Sequence, residues 1–224
     1  MNSNDFLQNE NAQRKMEQFH INKSSTWQGD VVSRFIFDMS KKYLSKDILD
    51  VGAGTGALVN LINKNSKYSA AGVDLHPKKS FIKKGVITDL PFSDSMFGTV
   101  FCTEVLEHLT LSQIDKGLSE IKRVLSADGY FIITVPFNED LNLGSYNCPD
   151  CDKVFHPFGH LQSFNLKNIS SLLKKGGFKI ISKRILPLHL MAKLPYSIFY
   201  YNLLSMLIKK MDYTKTLFII AQKR

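Results

Sequence analysis

The sequence predicts an α/β fold in which a mostly parallel sheet is covered by helices on both faces. Three observations carry this reading. Short, nearly continuous apolar runs (Ile48–Val51, Ala70–Val73, Val100–Cys102, Tyr130–Val135) recur along the chain, the pattern of strands buried on both sides. Segments with apolar residues at helical spacing fall between them. The first run also ends in a glycine-rich turn where a strand would pass into a helix. With 224 residues, 44% apolar and 22% charged, the chain can bury one core, so a single domain over residues 1–224 is expected.

In chain order, residues 1–45 begin as a polar tail and continue as a helix carrying Val31, Phe35, Ile36, Met39 and Tyr43. Residues 46–136 form the strand–helix core. Its first strand is Ile48–Val51, its first helix carries Leu58, Leu61 and Ile62, and its second strand runs from Ala70 to Asp74. Gly85–Thr88 is read as the third strand, leading to Asp89. Val100–Cys102 is the fourth, Leu111–Leu125 a helix, and Tyr130–Val135 the fifth. Residues 137–164 are a loop rich in Cys and His. Asn165–Lys175 is a helix stopped by Gly176 and Gly177. Phe178–Ile185 and Thr216–Ala221 close the sheet, with an insertion over residues 186–215 between them.

No apolar run approaches the ~18 residues of a bilayer span, and the polar start lacks the apolar stretch of a secretory signal. Three cysteines do not make a disulfide framework, so a reducing, cytoplasmic setting is expected. The charge of +9 is uneven: residues 1–159 hold 17 basic and 19 acidic side chains, residues 160–224 hold 12 basic and only Asp212. An anionic partner or a solvated lysine surface would each account for that.

The turn Asp50-Val51-Gly52-Ala53-Gly54-Thr55-Gly56 lets a ligand approach the backbone closely, and Asp74 follows about 20 residues on, where ribose hydroxyls are met. The loop alone fits any adenosine-type ligand. ILDVGAGTGAL, VDL at 73–75, TDLPFSDSMFGTVFCTEVLEHL from Thr88 and EIKRVLSADGYFIITVP from Glu120 together resemble the class I S-adenosylmethionine-dependent methyltransferases. That resemblance implies a Rossmann-like three-layer sandwich with a seven-stranded sheet, order 3-2-1-4-5-7-6 and one antiparallel strand. It places the methionine part on Asp50 and the backbone of Gly52, Ala53, Gly54, Thr55 and Gly56. It puts the ribose on Asp74, beside Leu75, and the adenine on Asp89 and Leu90.

Glu104, Glu107 and His108 fall at i, i+3 and i+4, so one helical turn would put them on one side, a set suited to a divalent cation such as Mg²⁺ or Zn²⁺. The run CTEVLEHL resembles ubiquinone-biosynthesis O-methyltransferases. The same E-x-x-E-H pattern occurs in RNA 3′-terminal 2′-O-methyltransferases, where a later histidine completes a metal site; His160 resembles that histidine. Cys148-x2-Cys151-x4-His156-x3-His160 also has the spacing of a zinc knuckle, so His160 is claimed by two metal sites at once.

Residues 195–210 are rich in tyrosine, leucine and isoleucine and end in Lys209-Lys210. Such a segment suits a membrane interface, a wall for a lipid-linked acceptor, or packing in a core or homodimer. Nucleic acid is less favoured, because the basic residues alternate with aliphatics. The function expected is O-methylation of a small-molecule, glycan or quinone-like acceptor, with His108 and His160 catalytic. A metal-dependent RNA 2′-O-methyltransferase and a non-catalytic cofactor-binding partner protein are the alternatives.

Overall fold

A computed structural model describes residues 29–143, 145–147, 154–188 and 215–224. Helix α1 (Gly29–Ser40) is followed by β1 (Asp47–Val51), α2 (Ala57–Asn63), β2 (Ser69–Asp74), β3 (Ile82–Lys84) and β4 (Phe97–Thr103). Then come α3 (Leu111–Val124), β5 (Leu125–Pro136), α4 (Leu166–Lys175), β6 (Phe178–Leu186) and β7 (Thr216–Lys223). Tyr146–Asn147 and Val154–Phe155 form a separate two-stranded ladder.

The main sheet has seven strands in the order β3-β2-β1-β4-β5-β7-β6. Pairs among β1 to β5 are parallel, while β7 runs antiparallel to both β5 and β6. This is the Rossmann-like α/β sandwich expected, with its one reversed strand. Successive residues of each central strand feed opposite layers. Leu49, Val100, Cys102, Phe131, Ile133, Leu217 and Ile219 pack with Ile114, Leu118 and Ile121 of α3 and with Ile169 and Leu173 of α4. Ile48, Phe101, Ile132, Phe218 and Ile220 pack on the other face with Phe35 and Ile36 of α1 and Leu58 and Ile62 of α2. The period-two alternation of a pleated strand thus explains why its interior is apolar at every position.

The third strand differs from the expected one. It is Ile82–Lys84 rather than Gly85–Thr88, which instead forms a turn closed by the Asp89 N–H donating to the Val86 carbonyl. The reason is packing. Ile82 pairs with Gly72 across the edge of the sheet, and a Cβ on Gly72 would lie 2.5 Å from Ile82 Cδ1. Ile87, in the turn, reaches across to Gly117 of α3 instead. An edge strand needs one buried side chain, so Ile-Lys-Lys suffices, while Ile87 serves the layer below and Val86 is exposed.

Helix α3 starts with a reciprocal cap: the Gln113 N–H donates to Thr110 Oγ1 and the Thr110 N–H to Gln113 Oε1. Asn165 and Asn168 repeat that arrangement on α4. No helix among the described residues is long and apolar enough to cross a membrane. The expected tail at 1–28, Cys148 and Cys151, and the segment 195–210 lie outside the described residues.

Candidate functional site

The carboxyl ends of β1, β2, β4 and β5 converge on one rim of the sheet. After β1 the chain turns through Gly52 and Gly54 in the left-handed region (φ +77° and +50°), which side chains with a Cβ adopt at a cost. The N–H groups of Gly52 and Ala53 both donate to the Val73 carbonyl, lashing the loop to β2. Gly56 caps α2 and its N–H donates to the Ala53 carbonyl, while Thr55 is exposed at the tip. A Cβ on Gly52 would strike Val105 Cγ2 at 2.3 Å, whereas one on Gly54 would meet nothing within 4 Å. Gly52 therefore closes the loop onto the Glu104–His108 segment, and Gly54 faces open space.

Asp74 accepts the Gly54 N–H on Oδ2 at 2.7 Å and the His76 N–H on Oδ1 at 2.8 Å, which fixes its carboxylate at the loop's edge; Leu75 beside it is half-buried. Asp50 is only 3% exposed, and its Oδ1 has no partner among the described residues. Burial, reinforced by the nearby Asp74 charge, pushes its carboxyl up to about 7. The pair at 89–90 divides. Asp89 is exposed, while Leu90 is buried and its N–H donates to Glu120 Oε2 at 2.8 Å.

That last bond belongs to a clamp not recognised in the sequence. Arg123 of α3 holds Glu120 with Nε and Nη2, both at 2.7 Å. It also donates to the carbonyls of Leu90 and Phe92 and to Asp94. The E-x-x-R pair of EIKRVL thus fastens the 90–94 loop onto α3, and the N–H of Leu90, a residue expected at the adenine edge, is spent inside this clamp.

The carboxylate–imidazole cluster forms at the ends of β4 and β5, but not on one helical turn. Glu104 is in the left-handed conformation (φ +54°), and only Leu106–His108 make a short 3₁₀ turn. A β-strand ending in a left-handed residue re-aims the chain sharply, so i, i+3, i+4 spacing does not describe the convergence here. The potential ligand atoms of Glu107, His108 and His160 lie within 4.8 Å of one another, and so do those of Glu139, His156 and His160. His160 is brought in by backbone bonds: the N–H groups of Leu161 and Gln162 both donate to the Glu107 carbonyl, at 2.7 and 3.0 Å.

Glu107 is 0% exposed, and neither carboxylate oxygen has a partner among the described residues. Burial and the neighbouring Glu104 push its carboxyl well up. Burial also raises Glu104, opposed by Thr134 and His160. His108, buried and next to His160, is held down to about 4 and is neutral at physiological pH. Its ring meets that of His160 edge-on at 4.8 Å.

Glu139 is the member of this cluster that the sequence reading missed. Its Oε2 lies 2.5 Å from His160 Nδ1, and its Oε1 lies 3.5 Å from His156 Nε2. Burial would raise Glu139, but the His160 bond and the three imidazoles outweigh it and hold the carboxyl low. An acid three residues beyond Pro136, at the end of a strand whose neighbour carries Glu104, was the available signal. The zinc-knuckle expectation is altered by the same geometry. His156 Nδ1 accepts the N–H groups of Phe158 and His160, each at 3.3 Å, and its ring stacks on His160 at 4.6 Å. The two histidines are thus gathered around Glu139, while Cys148 and Cys151 lie outside the described residues. Phe158, 57% exposed, lies 5.8 Å from both imidazole rings.

Residues 49–133 match the family model described as a methyltransferase domain. An uncharacterised protein of Methanocaldococcus jannaschii is 31% identical over 149 residues, covering 65% of this chain and 59% of that protein. A probable S-adenosylmethionine-dependent methyltransferase of Mycolicibacterium smegmatis is 26% identical over 152 residues, covering 63% and 55%. The chain therefore spans somewhat over half the length of these curated relatives. Among solved structures, the Burkholderia thailandensis 1,6-didemethyltoxoflavin-N1-methyltransferase, determined with S-adenosylhomocysteine, superposes with a TM-score of 0.63 at 16% identity, covering 96% and 89% of the chains. A glycine loop tied to β2, an acid at the end of that strand and a family match running from β1 to β5 lead to one assignment: residues 49–133 match a methyltransferase domain, set in a sheet with the fold of the class I S-adenosylmethionine-dependent methyltransferases.

Proposed function

We propose that this chain methylates the hydroxyl of a small acceptor with a planar apolar body, of phenol or quinol type, using S-adenosylmethionine. The observation that carries the reading is the enclosed Glu107–His108–His160 cluster, joined to the cofactor loop through Val105 against Gly52. The open space before Gly54 fits the cofactor's backbone-close approach, Asp74 the ribose hydroxyls, and the unpartnered Asp50 Oδ1 an ammonium group. Asp89 is the exposed carboxylate nearest in sequence for the adenine amino group. When bound, the cofactor supplies an electrophilic sulfonium methyl, so the protein's tasks are to orient the acceptor and relieve it of a proton.

His108 alone is poorly matched to that second task. A base near 4 facing a phenolic hydroxyl near 10 leaves a gap of about six units, roughly 8 kcal/mol. Glu107, His108 and His160 would instead hold a divalent cation, which would lower the hydroxyl's pKa when bound. A buried carboxylate with two unpartnered oxygens and two imidazoles fits a borderline ion, Zn²⁺ or Mn²⁺, better than Mg²⁺. Phe158 beside the imidazoles supports a flat, apolar acceptor. The basic final third extends the proposal to peripheral contact with anionic lipid, which suits a lipid-linked acceptor.

The test is S-adenosylhomocysteine release from a panel of phenols, catechols, sugars and short RNA, before and after chelation. Expected is turnover of a phenolic acceptor, lost on chelation and restored by Mn²⁺ or Zn²⁺. Glu107→Gln should lower kcat on the order of 100-fold with little change in cofactor KM. Full turnover after chelation would remove the metal from the reading, and turnover of RNA alone would replace the acceptor class.

A further inference from the structure

We infer that Glu139 is a positioning residue that fixes which ring nitrogen of His160 does the work. The inference rests on the reading of Glu107, His108 and His160 as the acceptor-activating site. Glu139 turns one oxygen to each of two imidazoles: His156 Nδ1 already accepts two N–H groups, so its Nε2 is the nitrogen that faces Oε1 as donor, and the 2.5 Å contact of Oε2 makes His160 Nδ1 the protonated nitrogen of that ring. Nε2 then carries the lone pair. With Nδ1 given to Glu139, Nε2 is the nitrogen left for Glu107 and His108, whose ligand atoms lie within 4.8 Å of a His160 ring nitrogen.

The backbone carrying that carboxylate is held from several sides. Asn138, in the left-handed conformation, gives its N–H to the Phe164 carbonyl, and the Ser163 hydroxyl donates to the Glu139 carbonyl at 2.7 Å. The two strands of chain carrying Glu139 and His160 are thereby bound side by side, with Phe137 bridged to Phe164. His160 thus has one nitrogen engaged by an outer acceptor, the arrangement that fixes tautomer and ring direction in histidine–metal sites. His156, receiving two N–H groups on Nδ1, turns Nε2 toward the other oxygen of Glu139 and keeps the carboxylate centred between the stacked rings.

Two variants test this on the full-length metal-free protein. Glu139→Met keeps the length of the side chain and removes both acceptors; Glu139→Gln keeps one. Long-range ¹H–¹⁵N correlation spectra of the histidine rings should show His160 protonated on Nδ1 in the wild type. Glu139→Met should move it to the Nε2–H form or a mixture, and Glu139→Gln should restore Nδ1–H in large part. Mn²⁺ titration should show affinity weakened about 10- to 100-fold in Glu139→Met and less in Glu139→Gln. A wild-type His160 protonated on Nε2, or an identical tautomer in Glu139→Met with unchanged melting, overturns the inference. Wild type with the expected tautomer but no affinity for Mn²⁺ or Zn²⁺ would overturn the metal reading and leave the positioning of His160 standing.

Discussion

Asp50 shows how one side chain can trade stability for a ligand. Its folded-state carboxyl, at about 7, stands above its ordinary 3.8 because it is buried beside Asp74 with an unpartnered oxygen. A raised acid contributes stability that is fully present below 3.8 and is lost as the pH climbs through about 7. Free protein carrying Asp50→Asn should therefore melt higher than wild type at pH 8, by as much as roughly 4 kcal/mol, with the gap closing toward pH 4. A cationic ligand group beside Asp50 reverses its sign. Calorimetric binding of S-adenosylhomocysteine should strengthen from pH 6 to pH 8, approaching tenfold per unit below the pKa, with proton release visible in buffers of different ionisation heat. Affinity flat across that range would separate Asp50 from the cofactor. Cys102 is the contrasting buried group: it lies within β4, burial pushes its thiol well up, and it serves only packing.

At the level of elements, the glycine loop performs two separable jobs. Gly52→Ala puts a Cβ 2.3 Å from Val105 Cγ2 on a left-handed backbone, so it should lower the melting temperature by about 5 °C or more. Gly54→Ala meets no atom within 4 Å and costs only the backbone preference, about 1 kcal/mol. Its thermal melt should stay within about 4 °C of wild type while cofactor affinity falls at least tenfold by calorimetry, because the new methyl occupies the cradle. Unimpaired binding in Gly54→Ala would show that the ligand does not press against this loop. The Glu120–Arg123 clamp fastens 90–94 to α3 by three hydrogen bonds from one guanidinium and by the Leu90 N–H donating to Glu120, leaving Asp89 exposed beside it.

Over the whole molecule, acidic groups gather at the sheet's rim while the last third is nearly free of them, with 12 basic residues and Asp212. β6, an edge strand, presents Lys179, Lys183 and Arg184 outward, which also guards that edge against pairing with another chain. Co-sedimentation with vesicles containing anionic lipid should occur at low salt and weaken when Lys209 and Lys210 become Glu. Absence of wild-type binding would leave 195–210 to packing.

The strand and helix sequence was readable because buried parallel strands and amphipathic helices differ in period, and ten of the eleven main elements follow such a run. Ile82–Lys84 escaped because an edge strand with one buried residue has no period to read. The short α2 was legible through Leu58, Leu61 and Ile62. Asp50, the glycines and Asp74 were fixed as a local unit by their neighbours in the chain. What the tertiary structure alone decided is the cluster. Glu107 and His160 are 53 positions apart, and Glu139 meets His160 across 21, joined by the Glu107 carbonyl and by two left-handed residues at strand ends. Spacing along a chain encodes local faces, but a contact between the tips of different strands depends on register and on the turns that follow them, and those are set by the packed sheet.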